Sequence, residues 1–345
     1  VTELADFLAR EIDAGSFPGA VALVGTRDSV DEVVAGGRAV VDPRDVPASP
    51  ETVYDLASLT KPLVCGAILA ASSGEVDRST SPGRYLPEWK ATRYDGITIE
   101  SLLLHVSGLP AWYPVYSRGE GAAAYRRTLG TIEPEARPGE RVIYSDLNFL
   151  VLGEVLEVHF SAPLDQTFAA IVARPAGSGA RFLPGRSDSV AATERGDATE
   201  RRMAAEMGIS YPRFRDGVVW GEVHDGNASR RGGVAGNAGL FGTASDVWAL
   251  ARTWLDPARR DFVRDRTPDL PEARGFAWQG SRGAGSAVAA MPASAFGHTG
   301  FTGTSLWIDP EAGRIAILLT NRVHPEVHAI DFNAVRRRFH EAVWG

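Results

Sequence analysis

The sequence predicts an α/β (α+β) protein in which an antiparallel sheet, built from both ends of the chain, is flanked by helices and carries a mostly helical inserted region. Two observations point there. Strand-like runs come in pairs near each terminus, and each pair adjoins a helix-like segment at the chain end. Between the pairs lies a long middle in which helical patterns and Pro/Gly-rich loops replace strand alternation.

In chain order, residues 2–14 place Leu4, Leu8 and Ile12 four apart with Phe7 beside them, which predicts an amphipathic helix. Strands follow at 20–25 and 32–41 across a polar turn. At the other end, 305–309 and 314–321 are strand-like and flank Pro310-Glu311-Ala312-Gly313, residues suited to a turn. A closing helix covers 332–343. In the middle, Thr243-Ala244-Ser245-Asp246 reads as a helix start leading into 247–255, whereas 174–235 shows no periodicity that defines an element. The expected organisation is a single catalytic unit over 1–345. Residues 1–57 and 236–345 would form the sheet region, and 58–235 the helical and loop region.

Composition narrows the function. Of 345 residues, 44% are hydrophobic and 23% charged, and a net charge of −7 with scattered arginines gives nucleic-acid binding no support. The longest apolar stretch, near 63–71, is too short to span a bilayer. The chain as given shows no basic-then-apolar leader and no membrane span, and a leader removed before Val1 is left open; the expectation is a soluble protein of unknown compartment, with the cytoplasm favoured. A single cysteine, Cys65, excludes an internal disulfide and a cysteine-based zinc site.

The chemistry is carried by three short segments. In "YDLASLTKPLVCGAILA" (54–70), Ser58 precedes Lys61 by three residues, and Lys61 is one of only two lysines among 36 basic residues. On a helix starting near Ser58 the two share a face, with Pro62 in the first turn. A serine hydroxyl needs a base, and a buried lysine can lose its proton where an arginine cannot. "RPGERVIYSDLNFLVLGEVLE" holds Tyr144-Ser145-Asp146 just before an apolar helical run, and "FGHTGFTGTSLWIDPEAGRIAILLTNRVHP" holds His298-Thr299-Gly300 just before the last strands.

Serine–lysine, then tyrosine, then a basic-Thr-Gly strand, in that order, resembles the penicillin-recognising serine hydrolases. These comprise class C β-lactamases, D,D-carboxypeptidases, D-aminopeptidases and family VIII carboxylesterases. "YLPEWKATRYDGITIESLLLHVSGLP" (85–110) and "GEVHDGNASRRGGVAGNAGLFGTASDVW" (221–248) are similar to further stretches of that family. The resemblance implies a β-lactamase/D,D-peptidase-like fold and metal-free acyl transfer without a cofactor. Ser58 would be the nucleophile, Lys61 would share or accept its proton, and Tyr144 would act as base and then deliver the proton to the leaving group. The backbone N–H groups of Ser58 and Phe301 would form the oxyanion hole, with Asp146, His298, Thr299 and Gly300 lining the substrate.

Two departures bear on specificity. Asp146 stands where the family often has asparagine; an ionised carboxylate pairs with Lys61, raises its pKa and has no proton to donate to a substrate carbonyl. His298 stands where many relatives have lysine, and it would attract a substrate carboxylate only below about pH 6.5. The substrate expected is therefore a small ester or D-amino-acid-containing peptide, with weak β-lactam turnover at best. The alternatives are a true β-lactamase or D,D-carboxypeptidase and, in another class, a penicillin-binding sensor that acylates without turnover. Oligomeric state is left open.

Other features are expected to be structural. His324 and His328 have zinc-like spacing, but Pro325 intervenes and no third ligand is evident. His105 is expected to make structural hydrogen bonds and Cys65 to pack in the core, while His159 and His224 carry no specific signal. "GGVAGNAGLFG" lacks the lysine of a phosphate cradle, and no GxSxG elbow surrounds Ser58.

Overall fold

The structure, a computed structural model, describes residues 2–72 and 74–345. Helix α1 (Glu3–Asp13) begins at Thr2, whose hydroxyl accepts from the Ala5 N–H. Strands β1 (Gly19–Gly25), β2 (Val30–Val40) and β3 (Val46–Pro47) follow. The middle of the chain contributes α2 (Asp146–Phe160), α3 (Ala198–Glu206), α4 (Gly226–Arg230) and α5 (Ala244–Ala251). Strands β4 (Gln279–Gly280), β5 (Phe296–Thr299), β6 (Ser305–Asp309) and β7 (Arg314–Thr320) precede α6 (Phe332–Trp344).

The seven strands form one antiparallel sheet in the order β3-β2-β1-β7-β6-β5-β4. The first and last long strands therefore pair at its centre, with Ala20 opposite Thr320 and Leu23 opposite Ile317. Their near-continuous apolar character follows from cover on both faces. Ala20, Ala22, Ala316 and Leu318 pack under α1 and α6 with Phe7 and Phe339, while Val21, Leu23, Ile315 and Ile317 face the main core. Small alanines let the terminal helices lie close, and each fully buried phenylalanine contributes roughly 1.5–3 kcal/mol. Helix α5 starts at the expected place, with Thr243 and Asp246 closing a capping box.

Two regions differ from expectation. Residues 174–235, where no element was expected, hold α3, α4 and a two-stranded ladder, Ala192–Arg195 against Val218–Trp220. These elements are short and fixed by polar contacts, so hydrophobic periodicity carries little trace of them. The helix expected from Ser58 is uneven: a 3₁₀ turn (Ala57–Leu59), a π turn (Lys61–Gly66), then α-helix (Ala67–Ala71). Pro62 has no N–H to complete an ordinary i→i−4 bond, and the widened turn accommodates it. Among the described residues, no single helix is long and apolar enough to cross a membrane.

Candidate active site

Ser58 sits at a bend held from both sides. Strand Tyr54–Asp55 pairs with Phe241–Gly242, and the Leu56 N–H donates to the Leu240 carbonyl at 2.9 Å. The chain then turns through Ala57 at φ +46°, a left-handed conformation uncommon for a residue with a Cβ, stabilised by its N–H donating to Asp55 Oδ1 at 2.8 Å. One residue later the serine projects from the 3₁₀ turn, and the next turn brings Lys61 beside it.

Lys61 is fully buried. Its Nζ donates to Ser58 Oγ at 2.8 Å and to the Asn237 carbonyl at 3.2 Å, and pairs with Asp146 Oδ1 at 2.6 Å. Burial alone would depress its pKa, but the Asp146 carboxylate and then Tyr144 reverse the balance and hold it above the ordinary lysine value. The direction is the one anticipated from the sequence: pairing with Asp146 favours the charged form of Lys61 and opposes its use as the base.

The second segment is held by the 85–110 stretch. His105 Nδ1 accepts from the Ser145 N–H at 2.9 Å, Ser145 Oγ donates to the Pro110 carbonyl at 2.6 Å, and Ser107 Oγ donates to Asn148 Oδ1 at 2.6 Å. Asp146, at the first position of α2, is fixed further by its N–H donating to the Ala111 carbonyl. The Tyr144 ring lies against His105, with centroids 4.6 Å apart, and its centroid is 5.0 Å from Lys61 Nζ. Serine, lysine and tyrosine thus converge, and His105 has the structural role expected of it.

The third segment runs along β5. Gly300 is required: a Cβ there would meet Thr304 Oγ1 at 2.1 Å and the Leu56 carbonyl at 2.8 Å. This close approach, with Thr302 Oγ1 donating to the Asp55 carbonyl at 2.8 Å, ties the strand end to the Ser58 bend. Among the described residues the backbone N–H groups of Ser58 and Phe301 have no acceptor. Behind them, Arg336 donates to the Gly300 carbonyl at 2.6 Å and Arg322 to the Phe301 carbonyl at 2.7 Å.

His298 is not the pH-dependent cation the sequence suggested. It is 3% exposed and spends Nδ1 on the Thr299 carbonyl at 2.8 Å. Burial, then the Lys61 charge, lowers its pKa well below the usual histidine range, which opposes the charged form. The cation on this side is Arg274, which the sequence reading did not single out. It is 4% exposed, lies 5.8 Å from the Tyr144 ring centroid, and shares with His298, Thr299 and Tyr144 a recess of about 190 Å³.

A second recess, of about 110 Å³, lies on the Ser58–Asp146 side and is lined by Trp112, Glu200, Met203, Asp225 and the Phe301 ring. Residues from 174–235 build much of it. His224, dismissed in the sequence, stacks on Phe301 at 5.5 Å and bonds Glu194 at 2.9 Å; burial lowers its pKa, but Glu194 more than compensates and raises it. Among the described residues no group of three or more His, Cys, Asp or Glu side chains is placed to hold a metal. His324 is buried between the Val41 N–H and the Thr193 carbonyl, and His328 is exposed. Cys65 is buried against Gly236, and burial pushes its thiol up to about 12.

The chain can now be set beside known proteins. A protein of Salmonella agona, provisionally named D-alanyl-D-alanine carboxypeptidase, is 31% identical over 318 residues, covering 81% of this chain and 72% of its own. A protein of the same provisional name from Escherichia coli is 30% identical over 317 residues, covering 82% and 72%. The solved structure of EstCE1, a hydrolase with promiscuous acyltransferase activity, superposes with a TM-score of 0.75 at 21% identity over 99% of this chain and 98% of that one, a likeness of fold. The profile of the family described as Beta-lactamase matches residues 4–338, and the chain belongs to this family of serine hydrolases.

Proposed function

We propose that the protein hydrolyses small esters or D-amino-acid-containing peptides through an acyl-enzyme on Ser58, with weak β-lactam turnover at best. The observation that carries this reading is the Ser58–Lys61–Asp146 chain, with bonds of 2.8 and 2.6 Å, lying under the Tyr144 ring and beside two unused backbone N–H groups. In this mechanism Tyr144 reacts as the phenolate: it takes the Ser58 proton and becomes the neutral phenol as the Oγ–carbonyl bond forms, and the Lys61 ammonium beside Ser58 stabilises the charge that develops. The Ser58 and Phe301 N–H groups receive the oxyanion. As it collapses, the bond to the leaving group breaks and Tyr144 returns the proton to the departing atom. Water then repeats the sequence on the acyl-serine, releasing the acid and restoring Ser58.

Because Tyr144 protonates the leaving group, the leaving group occupies the Arg274 recess. The guanidinium there is paired with Glu272 at 2.5 Å, and its Nε has no hydrogen-bond partner among the described residues; a departing amino acid with a free carboxylate suits that remaining donor, which supports the D,D-carboxypeptidase alternative and agrees with the names of the two relatives. Asp146, unable to donate to a substrate carbonyl, favours esters over amides and β-lactams.

The test combines a chromogenic ester, a D-alanyl-D-alanine peptide and a chromogenic cephalosporin with intact-mass analysis. Turnover with an acyl adduct on Ser58 is expected, and Ser58→Ala should reduce it by ~10⁴-fold or more. Ester cleavage that survives this substitution overturns the assignment of the nucleophile. A single stoichiometric burst instead identifies an acylating sensor.

A further inference from the structure

The short helix Ile99–Leu103 ends in a left-handed turn. The His105 N–H donates to the Leu102 carbonyl at 3.2 Å and the Val106 N–H to the Ser101 carbonyl at 2.9 Å, a pairing that puts His105 just beyond the helix cap at φ +58°. Glycine ends helices this way without steric cost, whereas a residue with a Cβ meets its own carbonyl. Histidine stands here against that preference.

Its side chain carries a second cost. Nδ1 accepts from the Ser145 N–H at 2.9 Å, and Asn148 Nδ2 lies 3.4 Å from the same atom, so the proton of the neutral ring is on Nε2. Nε2 is buried and has no hydrogen-bond partner among the described residues. Burial, then the Arg274 and Lys61 charges, lowers the pKa well below the usual histidine range, which opposes a second proton and leaves Nδ1 an acceptor. Glycine would avoid both the strain and the orphaned donor. Ending the helix therefore does not explain the imidazole.

The surroundings of Tyr144 do. The Ile143 N–H donates to the His105 carbonyl at 2.8 Å, and the Ser145 N–H donates to Nδ1. Between these bonds the imidazole lies 4.6 Å from the Tyr144 ring, inclined to it by 35°. One residue thus holds the tyrosine through the peptide before it, the peptide after it and the face of its ring. Tyr144 is 36% exposed, so it has less packing to fix it than a core tyrosine and depends more on these contacts.

We infer that His105 is a positioning residue for Tyr144, clamping residues 143 and 145 through its carbonyl and Nδ1 so that the phenol is presented to Ser58 and Lys61. This deepens the Ser58 acyl-enzyme reading and rests on it. No atom of His105 enters the reaction; it acts through Tyr144.

Two variants test the clamp. His105→Gly keeps the left-handed turn and removes acceptor and ring. His105→Asn also tolerates that turn, and its Oδ1, bonded to Cγ as Nδ1 is, can accept from the Ser145 N–H. With p-nitrophenyl butyrate the glycine variant should lose about 100-fold or more in kcat while KM stays within about threefold, the effect of a base misplaced by ~1 Å. The asparagine variant should recover about tenfold or more of that loss. A role confined to stability predicts that both variants, shown by thermal melting to be folded, turn over within about threefold of the original enzyme. That result overturns the inference, as does an asparagine variant no faster than the glycine one. If the glycine variant fails to fold, the asparagine variant decides: kcat within about tenfold of the original supports the clamp, and a loss of about 100-fold overturns it. A crystal structure of the glycine variant reads the position directly, with the Tyr144 ring expected to shift by ~1 Å or more; an unmoved ring overturns the inference whatever the kinetics. Undiminished turnover in Tyr144→Phe would instead count against Tyr144 as the base, and that structure would still judge the clamp.

Discussion

The wall of the cleft made by the sheet and the wall made by the 174–235 segment are built on different principles. On the sheet side, β5 is locked to the Ser58 bend by main-chain contact at Gly300 and by Thr302, and the nearby charges are arginines. On the other side, short helices and a two-stranded ladder present carboxylates, two of them without a cation. The first wall fixes positions that bond making and breaking demand. On the proposed reading the second offers a polarity that selects what enters. On the same reading the sheet edge fixes one side of a reaction centre whose Ser58, Lys61 and Tyr144 come from helical turns and the segment before α2, while the 174–235 segment shapes the other side.

Substitutions that touch only one wall should separate the two functions. The largest effect is expected from Tyr144→Phe, which keeps the ring against His105 but removes the hydroxyl. Its kcat should fall by ~10²–10⁴-fold for all substrates alike, charged or not, in steady-state assays. A loss confined to one substrate class would move Tyr144 from the chemical wall to the selective one.

Asp146→Asn lies where the walls meet. It removes the carboxylate that holds Lys61 charged and supplies a donor to a substrate carbonyl. The amide-to-ester ratio of kcat/KM should rise by about tenfold, the value of one charge-sensitive hydrogen bond. A falling ratio contradicts this.

The smallest effect concerns stability. Glu200 is raised to about 7 from an ordinary carboxyl value of 4.5, so between these values the folded state binds more protons than the unfolded state. Stability from this group is present below the ordinary value and declines as pH rises through about 7. Glu200→Gln should flatten that decline by on the order of 1–3 kcal/mol, measured as denaturant midpoints at pH 5 and pH 8. A wild-type protein equally stable at both values, with no difference in the variant, would remove Glu200 from the titrating groups.

The same contrast explains what was legible in the sequence. Strands β1, β2, β6 and β7 and helices α1, α5 and α6 announce themselves because each presents periodic apolar residues or a cap, and their observed limits differ from expectation by a residue or two, except that α5 ends at Ala251 and passes into a 3₁₀ turn over Arg252–Leu255. Ser58, Lys61, Tyr144 and Asp146 were readable from spacing and resemblance, and they do come together. Glu200, Asp225 and His224 were not. Their chemistry arises from burial beside one another, which brings residues 58 and 200 to one recess and which no local pattern encodes. His298 shows the converse: a residue type suggests a charge, and desolvation withdraws it.

The bond from Arg336 to the Gly300 carbonyl gives the final helix a part in events far from its own place in the chain. That carbonyl shares a peptide plane with the Phe301 N–H, so a guanidinium pulling electron density from one end leaves the other a better donor. Loosening this helix would therefore blunt the reactive centre well before the sheet came apart, and a substitution that frees it would be felt first in rate rather than in melting.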